Sequence, residues 1–307
     1  MNILFFGGGT MSSKKIRHCP LCNCSNSKIS SYPSPIKFNL IIYKYLKCDS
    51  CKSKFLNPIP TENDFLKIYE KNNYHDLHYS DLNVSNYTNS VNKLIKFIAK
   101  DALVLDFGCG DGKFLTALKT SNFIGIGVEF NLDAATQASI NSGCEVFSLS
   151  EFKSKKFNKK FDVIHLGDVL EHLTNPSKDL KLLCEMLKPD GIFFIEGPLE
   201  ANPSIVYWAA NLFGILKRYI GQGFIGEGIP THLFILNEKQ QFEFLSKTFN
   251  SFELLHWSVY ESGWPYLNNG FLKSLIANIS IFMSGFKVGQ VTFGNRFQGI
   301  FKLSNLN

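Results

Sequence analysis

Two carboxylates and two imidazoles in this chain are spaced for joint work. Asp168, Glu171 and His172 stand at i, i+3 and i+4, so on a helix their side chains project to one side. His232, in Pro230-Thr231-His232-Leu233, precedes a helix that Asn237 should cap with Gln240 at its third position. Together the four groups could hold a divalent ion such as Mg²⁺ and leave positions for substrate oxygens. Two other readings stay open. His172 could take a proton from a hydroxyl without metal, since imidazole titrates near neutral pH, or Glu171 and His172 could merely shape a pocket. The candidate catalytic residues are His172, Glu171 and His232.

A second set is made of cysteine. Cys19-Pro-Leu-Cys22 and Cys48-Asp-Ser-Cys51 are two CxxC pairs, each tight enough to aim both sulfurs at one tetrahedral Zn²⁺. Four thiolates leave no open position, so this zinc should be structural. The Ser-, Asn- and Lys-rich stretch between the pairs has too few apolar residues to fold unaided, so metal binding should supply much of its folding free energy. Cys24 is a spare that could replace Cys22.

A third set is a turn and an acid. The strand Leu103-Val104-Leu105-Asp106 runs into Phe107-Gly108-Cys109-Gly110-Asp111-Gly112, followed by helix-prone Lys113 to Leu118. Glycines there let backbone approach a ligand closely, with helix amides facing it. The next strand, Phe123 to Val128, ends in Glu129, where an acid can bond adjacent ribose hydroxyls. The loop opens on an acid and reads Gly-x-Gly-x-Gly, which suits a cationic or zwitterionic cofactor better than a pyrophosphate.

With Phe161-Asp162-Val163-Ile164 and Leu187-Lys188-Pro189-Asp190-Gly191, this ordered series resembles the motifs of class I S-adenosylmethionine-dependent methyltransferases over roughly Val91 to Pro198. The cysteine-paired segment ahead of it resembles that of bacterial methyltransferases of sugar and secondary-metabolite pathways. The resemblance implies that Asp106, Gly108, Cys109, Gly110 and Gly112 hold the methionine part of S-adenosyl-L-methionine and Glu129 the ribose. Adenine should lie near Phe130 and the Ser148 to Glu151 turn, with Ser148, Leu149, Leu166 and Gly167 counted among the cofactor-binding residues. That turn departs from the common Gly-Asp form. The Asp168, Glu171, His172, His232 set is similar to the metal sites of ubiquinone-pathway O-methyltransferases and small-RNA 2′-O-methyltransferases, with Asp168 one methylene shorter than the usual Glu.

The elements that must position these groups follow from periodicity. Val91, Leu94, Ile95 and Ile98 make a helical stripe. Strands are expected at Glu145 to Phe147, Phe161 to Leu166 and Ile192 to Ile195, with a helix from Pro176 to Leu187 between the last two. Alternating strands and helices predict an α/β, doubly wound, Rossmann-like seven-stranded methyltransferase sheet with a small N-terminal zinc ribbon, and ligands at the carboxyl ends of its strands. The expected divisions are an extension over 1–18, the ribbon over 19–60, a linker or lid over 61–90 with Tyr69, Tyr74, His75, His78 and Tyr79, and the methyltransferase domain over 91–307. Substrate elements are expected as insertions at about 199–250 and 263–290. There, apolar helices around Ile205 to Leu216 and Leu272 to Met283 suit core packing, a homodimer contact, or a lipid-linked acceptor at a membrane surface. The lysine run from Lys153 to Lys160 belongs to a solvated loop at the opposite rim.

Composition bounds the reading. A chain of 307 residues with 45% hydrophobic content supports a large core, which excludes disorder or fibrous repeats for most of it. Its +6 charge, 32 Lys+Arg against 26 Asp+Glu, suits anionic ligands without demanding nucleic acid. With no apolar run of the ~20 residues a spanning helix needs and no signal peptide, a cytoplasmic protein is expected, and Met11 would make an ordinary start. The function expected is methyl transfer to an oxygen of a small molecule, such as a glycan precursor, lipid or secondary-metabolite intermediate. Its rivals are an RNA-modifying methyltransferase and a non-catalytic cofactor-binding scaffold.

Overall fold

The computed structural model describes residues 16–30, 33–38, 40–60, 64, 84–130, 132–155, 157–209, 211–212, 226–227, 230, 232–264, 266–267 and 270–304. Residues 1–15 of the expected extension, the aromatic lid residues Tyr69 to Tyr79, Lys156 and the 213–225 part of the insertion lie outside the described residues.

The amino-terminal strands are β1 (Ser27–Ile29), β2 (Ile36–Phe38), β3 (Ile41–Cys48) and β4 (Lys54–Asn57). Their antiparallel meander is closed by two short strands from far along the chain. β10 (Gly226–Glu227) pairs in parallel with β2, and β11 (Phe234–Ile235) pairs antiparallel with β4, Phe234 opposite Phe55. The cysteine module and the later insertion therefore share one sheet. Tyr43, Phe55 and Leu56 are buried in a core continuous with that of the main domain.

The helix α1 (Val84–Leu94) leads into the main domain, but it ends at Leu94, short of the apolar stripe that runs on to Ile98. Ile95 and Ile98 still pack against the core, from a turn. Five parallel strands follow: β5 (Leu103–Phe107), β6 (Ile124–Glu129), β7 (Glu145–Ser148), β8 (Phe161–Gly167) and β9 (Leu187–Pro198). The helices between them are α2 (Lys113–Thr120), α3 (Leu132–Ser142), α4 (Leu149–Ser154) and α5 (Pro176–Cys184). Two antiparallel strands, β12 (Phe252–Tyr260) and β15 (Arg296–Leu303), complete the seven-stranded order β12-β15-β9-β8-β5-β6-β7, and β13 (Lys287–Val288) pairs with β14 (Val291–Thr292) in a separate hairpin between them. Chain direction across the sheet reverses at β5 and β8, so their carboxyl ends frame the crevice where ligands bind in such sheets.

Adjacent residues of β9 show how both faces are filled. Phe193 stacks on Phe249 of α6 (Glu238–Phe249) with centroids 4.9 Å apart, while Phe194 meets Phe114 of α2 at 6.3 Å on the other face. Each fully buried ring contributes about 2–3 kcal/mol of transfer free energy. Asn175 caps α5 with Pro176 at its first turn, and Asn237 with Gln240 forms a capping box on α6.

The helix α7 (Phe271–Phe282) is packed inside out. It turns Ala277 and Ser280 inward and leaves Phe271, Leu272, Leu275, Ile279 and Phe282 exposed. No helix among the described residues is long and apolar enough to cross a membrane.

Candidate active site

The glycine loop between β5 and α2 takes three left-handed glycines, Gly108, Gly110 and Gly112, at φ 82°, 55° and 84°. Two are also fixed by space. A Cβ on Gly108 would stand 2.4 Å from Cγ2 of Val169, and one on Gly112 would stand 2.8 Å from the Ala138 carbonyl oxygen. Gly108 and Cys109 donate their amides to the Val128 carbonyl at 2.8 and 3.0 Å, which ties the loop to β6. At the end of β6, Glu129 accepts from the Gly110 amide at 2.8 Å and the Phe130 amide at 2.6 Å. Burial raises its carboxyl above the usual range. Ser148 is its register partner on β7 and caps α4 in a reciprocal box with Glu151; Leu149 behind it is buried. The turn that lacks the common Gly-Asp form is thus a helix start.

Asp106 is 1% exposed and has one committed oxygen. Its Oδ1 lies 2.7 Å from Nδ1 of His165 on β8, while Oδ2 has no partner among the described residues. Leu166 is buried beside it, and a Cβ on Gly167 would stand 2.8 Å from the His165 ring, so glycine there makes room for the imidazole.

Beyond β8 the chain does not form the expected helix across the acid and histidine positions. Asp168 has φ 55° and precedes a single short 3₁₀ turn, Leu170–His172. Its carboxylate faces Arg296 of β15, accepting from Nη2 at 2.7 Å on both oxygens. Asp168 stands outside the group that the other three expected ligands make. Glu171, His172 and His232 offer ligand atoms within 4.8 Å of one another, without Asp168. Asp168 precedes the 3₁₀ turn, and an arginine 128 positions away holds its carboxylate.

The rings of His172 and His232 lie edge to face at 5.1 Å, and His172 Nε2 is 3.9 Å from Glu171. His232 Nδ1 meets Glu200 at 3.1 Å. Burial, with the charge of Asp168 nearby, pushes the Glu171 carboxyl up to about 7. Burial alone would lower His232, but the Glu200 carboxylate, backed by Glu171 and Asp168, outweighs it and raises the imidazole to about 9. The His232 loop is held from both sides. Leu233 donates its amide to the Glu171 carbonyl at 2.7 Å, and the Tyr45 hydroxyl of β3 donates to the His232 carbonyl at 2.6 Å.

In the cysteine module Cys19 and Cys51 have sulfurs 3.7 Å apart, and Cys22 and Cys48 3.5 Å. Both distances are far beyond the ~2.05 Å of a disulfide and near the ~3.8 Å edge of a tetrahedron of sulfurs about 2.3 Å from Zn²⁺. All four sulfurs lie within 4.8 Å of one another. Hydrogen bonding from Cys19 and Ser53 lowers the Cys51 thiol, while the same Cys19–Cys51 pairing and burial raise the Cys19 thiol. Cys24 points elsewhere, to the Asn26 carbonyl at 3.8 Å.

Sequence reading missed His165, Glu196, Glu200 and Arg296. A histidine inside the apolar run of β8 reads as core, and Arg296 carries no motif.

Residues 83–220 match the family described as a methyltransferase domain. Among curated proteins, the ubiquinone biosynthesis O-methyltransferase of Haemophilus ducreyi is 29% identical over 128 residues, 38% of this chain and 54% of that one. Its Rickettsia canadensis counterpart is 26% identical over 149 residues, 47% and 61%. The chain thus spans about half the length of the relatives it matches. A chain of the complex between the Haloferax volcanii Trm112 methyltransferase activator and a methyltransferase superposes with TM-score 0.52 at 12% identity, over 80% of this chain and 98% of that one. The seven-stranded sheet is the α/β methyltransferase fold, and residues 83–220 are a class I S-adenosylmethionine-dependent methyltransferase domain.

Proposed function

We propose that the chain moves the methyl group of S-adenosylmethionine to an oxygen of a small-molecule acceptor, such as a glycan precursor, a lipid or a secondary-metabolite intermediate. The observation that carries this reading is the cluster of Glu171 and His172, both buried on the segment leaving β8, with half-buried His232 from the loop before β11; Val169 of the first segment abuts the glycine loop at Gly108. The printed names of the relatives, O-methyltransferases, support oxygen as the acceptor atom.

A sulfonium is already an activated donor, so the protein's share is in-line positioning and removal of the hydroxyl proton. Asp106 and Gly108 to Gly112 receive the methionine part, and the Glu129 carboxylate receives the ribose hydroxyls. Phe130, Ser148 and Leu149 surround the adenine, with Leu166 and Gly167 below. His172 takes the proton from the acceptor, beside a Glu171 carboxyl that burial keeps near neutrality. Two imidazoles and one carboxylate also suit a divalent ion, which would polarise the acceptor oxygens when bound there. Cys19, Cys22, Cys48 and Cys51 hold a structural Zn²⁺. The exposed apolar face of α7 supports a lipid-borne acceptor; a homodimer through that face is the competing outcome, and vesicle flotation against light scattering separates them.

The test is methyl transfer with and without EDTA, then with Mg²⁺ or Mn²⁺ restored, on wild type, His232→Ala and His172→Ala. Full activity in chelator, with His232→Ala unchanged, removes the divalent ion. A loss of roughly 10² to 10⁴ in His172→Ala with cofactor affinity kept identifies the base. No binding of the cofactor by calorimetry would sink the whole reading.

A further inference from the structure

One buried polar set joins Asp106 to three side chains that the proposed function leaves unused. It crosses the middle of the seven-stranded sheet from Asp106 on β5 through His165 on β8 to Glu196 on β9 and Gln298 on β15. Asp106 is opposite His165 and Gln298 opposite Glu196, while Glu196 stands two residues beyond Phe194, the register partner of His165. His165 Nδ1 lies 2.7 Å from Asp106 Oδ1, and its Nε2 lies 3.1 Å from Glu196 Oε1. The far oxygen of Glu196 accepts from Ser90 of α1 at 2.9 Å and from Gln298, whose own amide oxygen accepts from Lys93. Phe114 stacks on the imidazole at 3.7 Å, and Phe194 lies 5.1 Å off its other side.

Each ring nitrogen faces a carboxylate oxygen. Between two ionised carboxylates a neutral imidazole would set its one lone pair against an anion, so the arrangement favours two donating nitrogens and an imidazolium. Burial works against that charge, yet the two carboxylates raise the imidazole to about 9. One cation between two anions leaves one negative charge over. Glu196 has both oxygens satisfied, whereas Asp106 keeps Oδ2 buried and without a partner among the described residues. The surplus therefore stands at Asp106 Oδ2, where β5 enters the glycine loop.

We infer that His165, braced by Glu196, is a positioning residue that locks Asp106 so that its free oxygen meets the ammonium of the cofactor's amino-acid part. The inference rests on the reading that Asp106 contacts the cofactor. Holding the acid from behind fixes its rotamer before the ligand arrives, so none of the binding free energy goes into reorienting it.

The test compares two ligands by calorimetry at pH 7.5: S-adenosylmethionine, and 5′-methylthioadenosine, which lacks the amino-acid part. In His165→Asn the affinity for the first should fall about 10-fold or more, the scale of one charge-assisted hydrogen bond, while the second stays within about 2-fold. Glu196→Gln, which keeps shape and removes one anion, should move the same ratio in the same direction, and serves alone where His165→Asn does not fold. In wild type, one imidazole proton resonance, absent from His165→Asn, should titrate near pH 9. Equal losses for both ligands would make the ladder structural and overturn the inference. An unchanged ratio in both variants would do the same. Asp106→Asn separates the premise: if it leaves the ratio unchanged, the assignment of Asp106 to the amino-acid part falls, whereas a change in Asp106→Asn alone defeats only His165.

Discussion

Gly108→Ala has a cost that can be worked from the coordinates. At φ 82° an alanine enters the left-handed region, at about 1–2 kcal/mol. Its Cβ would also stand 2.4 Å from Cγ2 of Val169, where ordinary contact begins at 3.4 Å. Crowding of that kind costs about 1–3 kcal/mol, because neighbours must leave their rotamers or backbone must shift. The sum is about 2–5 kcal/mol, and it is directional: Val169 is tied by its carbonyl to the His172 amide at 3.0 Å. Displacing it moves the turn that carries Glu171 and His172. Urea unfolding of Gly108→Ala, Val169→Ala and the double variant closes a cycle. The double variant should recover the crowding share, about 1–3 kcal/mol, and keep the backbone share. Methyl transfer should fall further than cofactor affinity in the single variant and partly return in the double. Strict additivity in urea, with no return of activity, would refute the claim that loop and turn interlock through these two residues.

Glu129→Ala should weaken cofactor binding by about 10-fold or more in calorimetry; it is a cleaner probe than Asp106→Ala, which would leave His165 with one carboxylate in the core. Cys19→Ser and Cys48→Ser should abolish zinc by elemental analysis, while Cys109→Ser and Cys144→Ser keep it. Asp179 is fully buried in α5, and burial pushes its carboxyl up to about 8 from 3.8. The folded state thus favours the protonated acid, so this group's effect on stability is least harmful below about pH 4 and worsens as pH rises to about 8. Asp179→Asn should accordingly melt higher than wild type, by a margin that widens across that window and then levels; a margin independent of pH would count against it.

The sequence was most legible where a local rule decides the structure. The strand, glycine loop and helix from Leu103 to Thr120 depend on neighbours in sequence, as does the cap at Asn237. The cysteine spacing foretold four sulfurs in one place. Legibility ended where a partner lies far along the chain. Asp168 reads as a ligand until Arg296 is seen to hold it. His165 looks like one polar residue in an apolar strand, and its meaning appears only when the sheet brings Asp106 and Glu196 to its two nitrogens. The cysteine module looked separable because CxxC pairs describe turns and say nothing about which strand edges remain open; β2 and β4 are closed by β10 and β11.

That shared sheet has a consequence for synthesis. Tyr45 and the His232 carbonyl it holds are 187 residues apart. A ribosome adding about 5–20 residues per second needs roughly 10–40 s to cover that interval. Through most of it β4 waits with one edge unpaired, the kind of template that recruits other nascent chains. Early capture of zinc by Cys19 to Cys51 would hold the half-made sheet in one shape during the wait. Growth under zinc limitation should therefore raise the share of this chain found in inclusion bodies, and codon choice between residues 60 and 230 should alter yield more than the same changes near the carboxyl terminus.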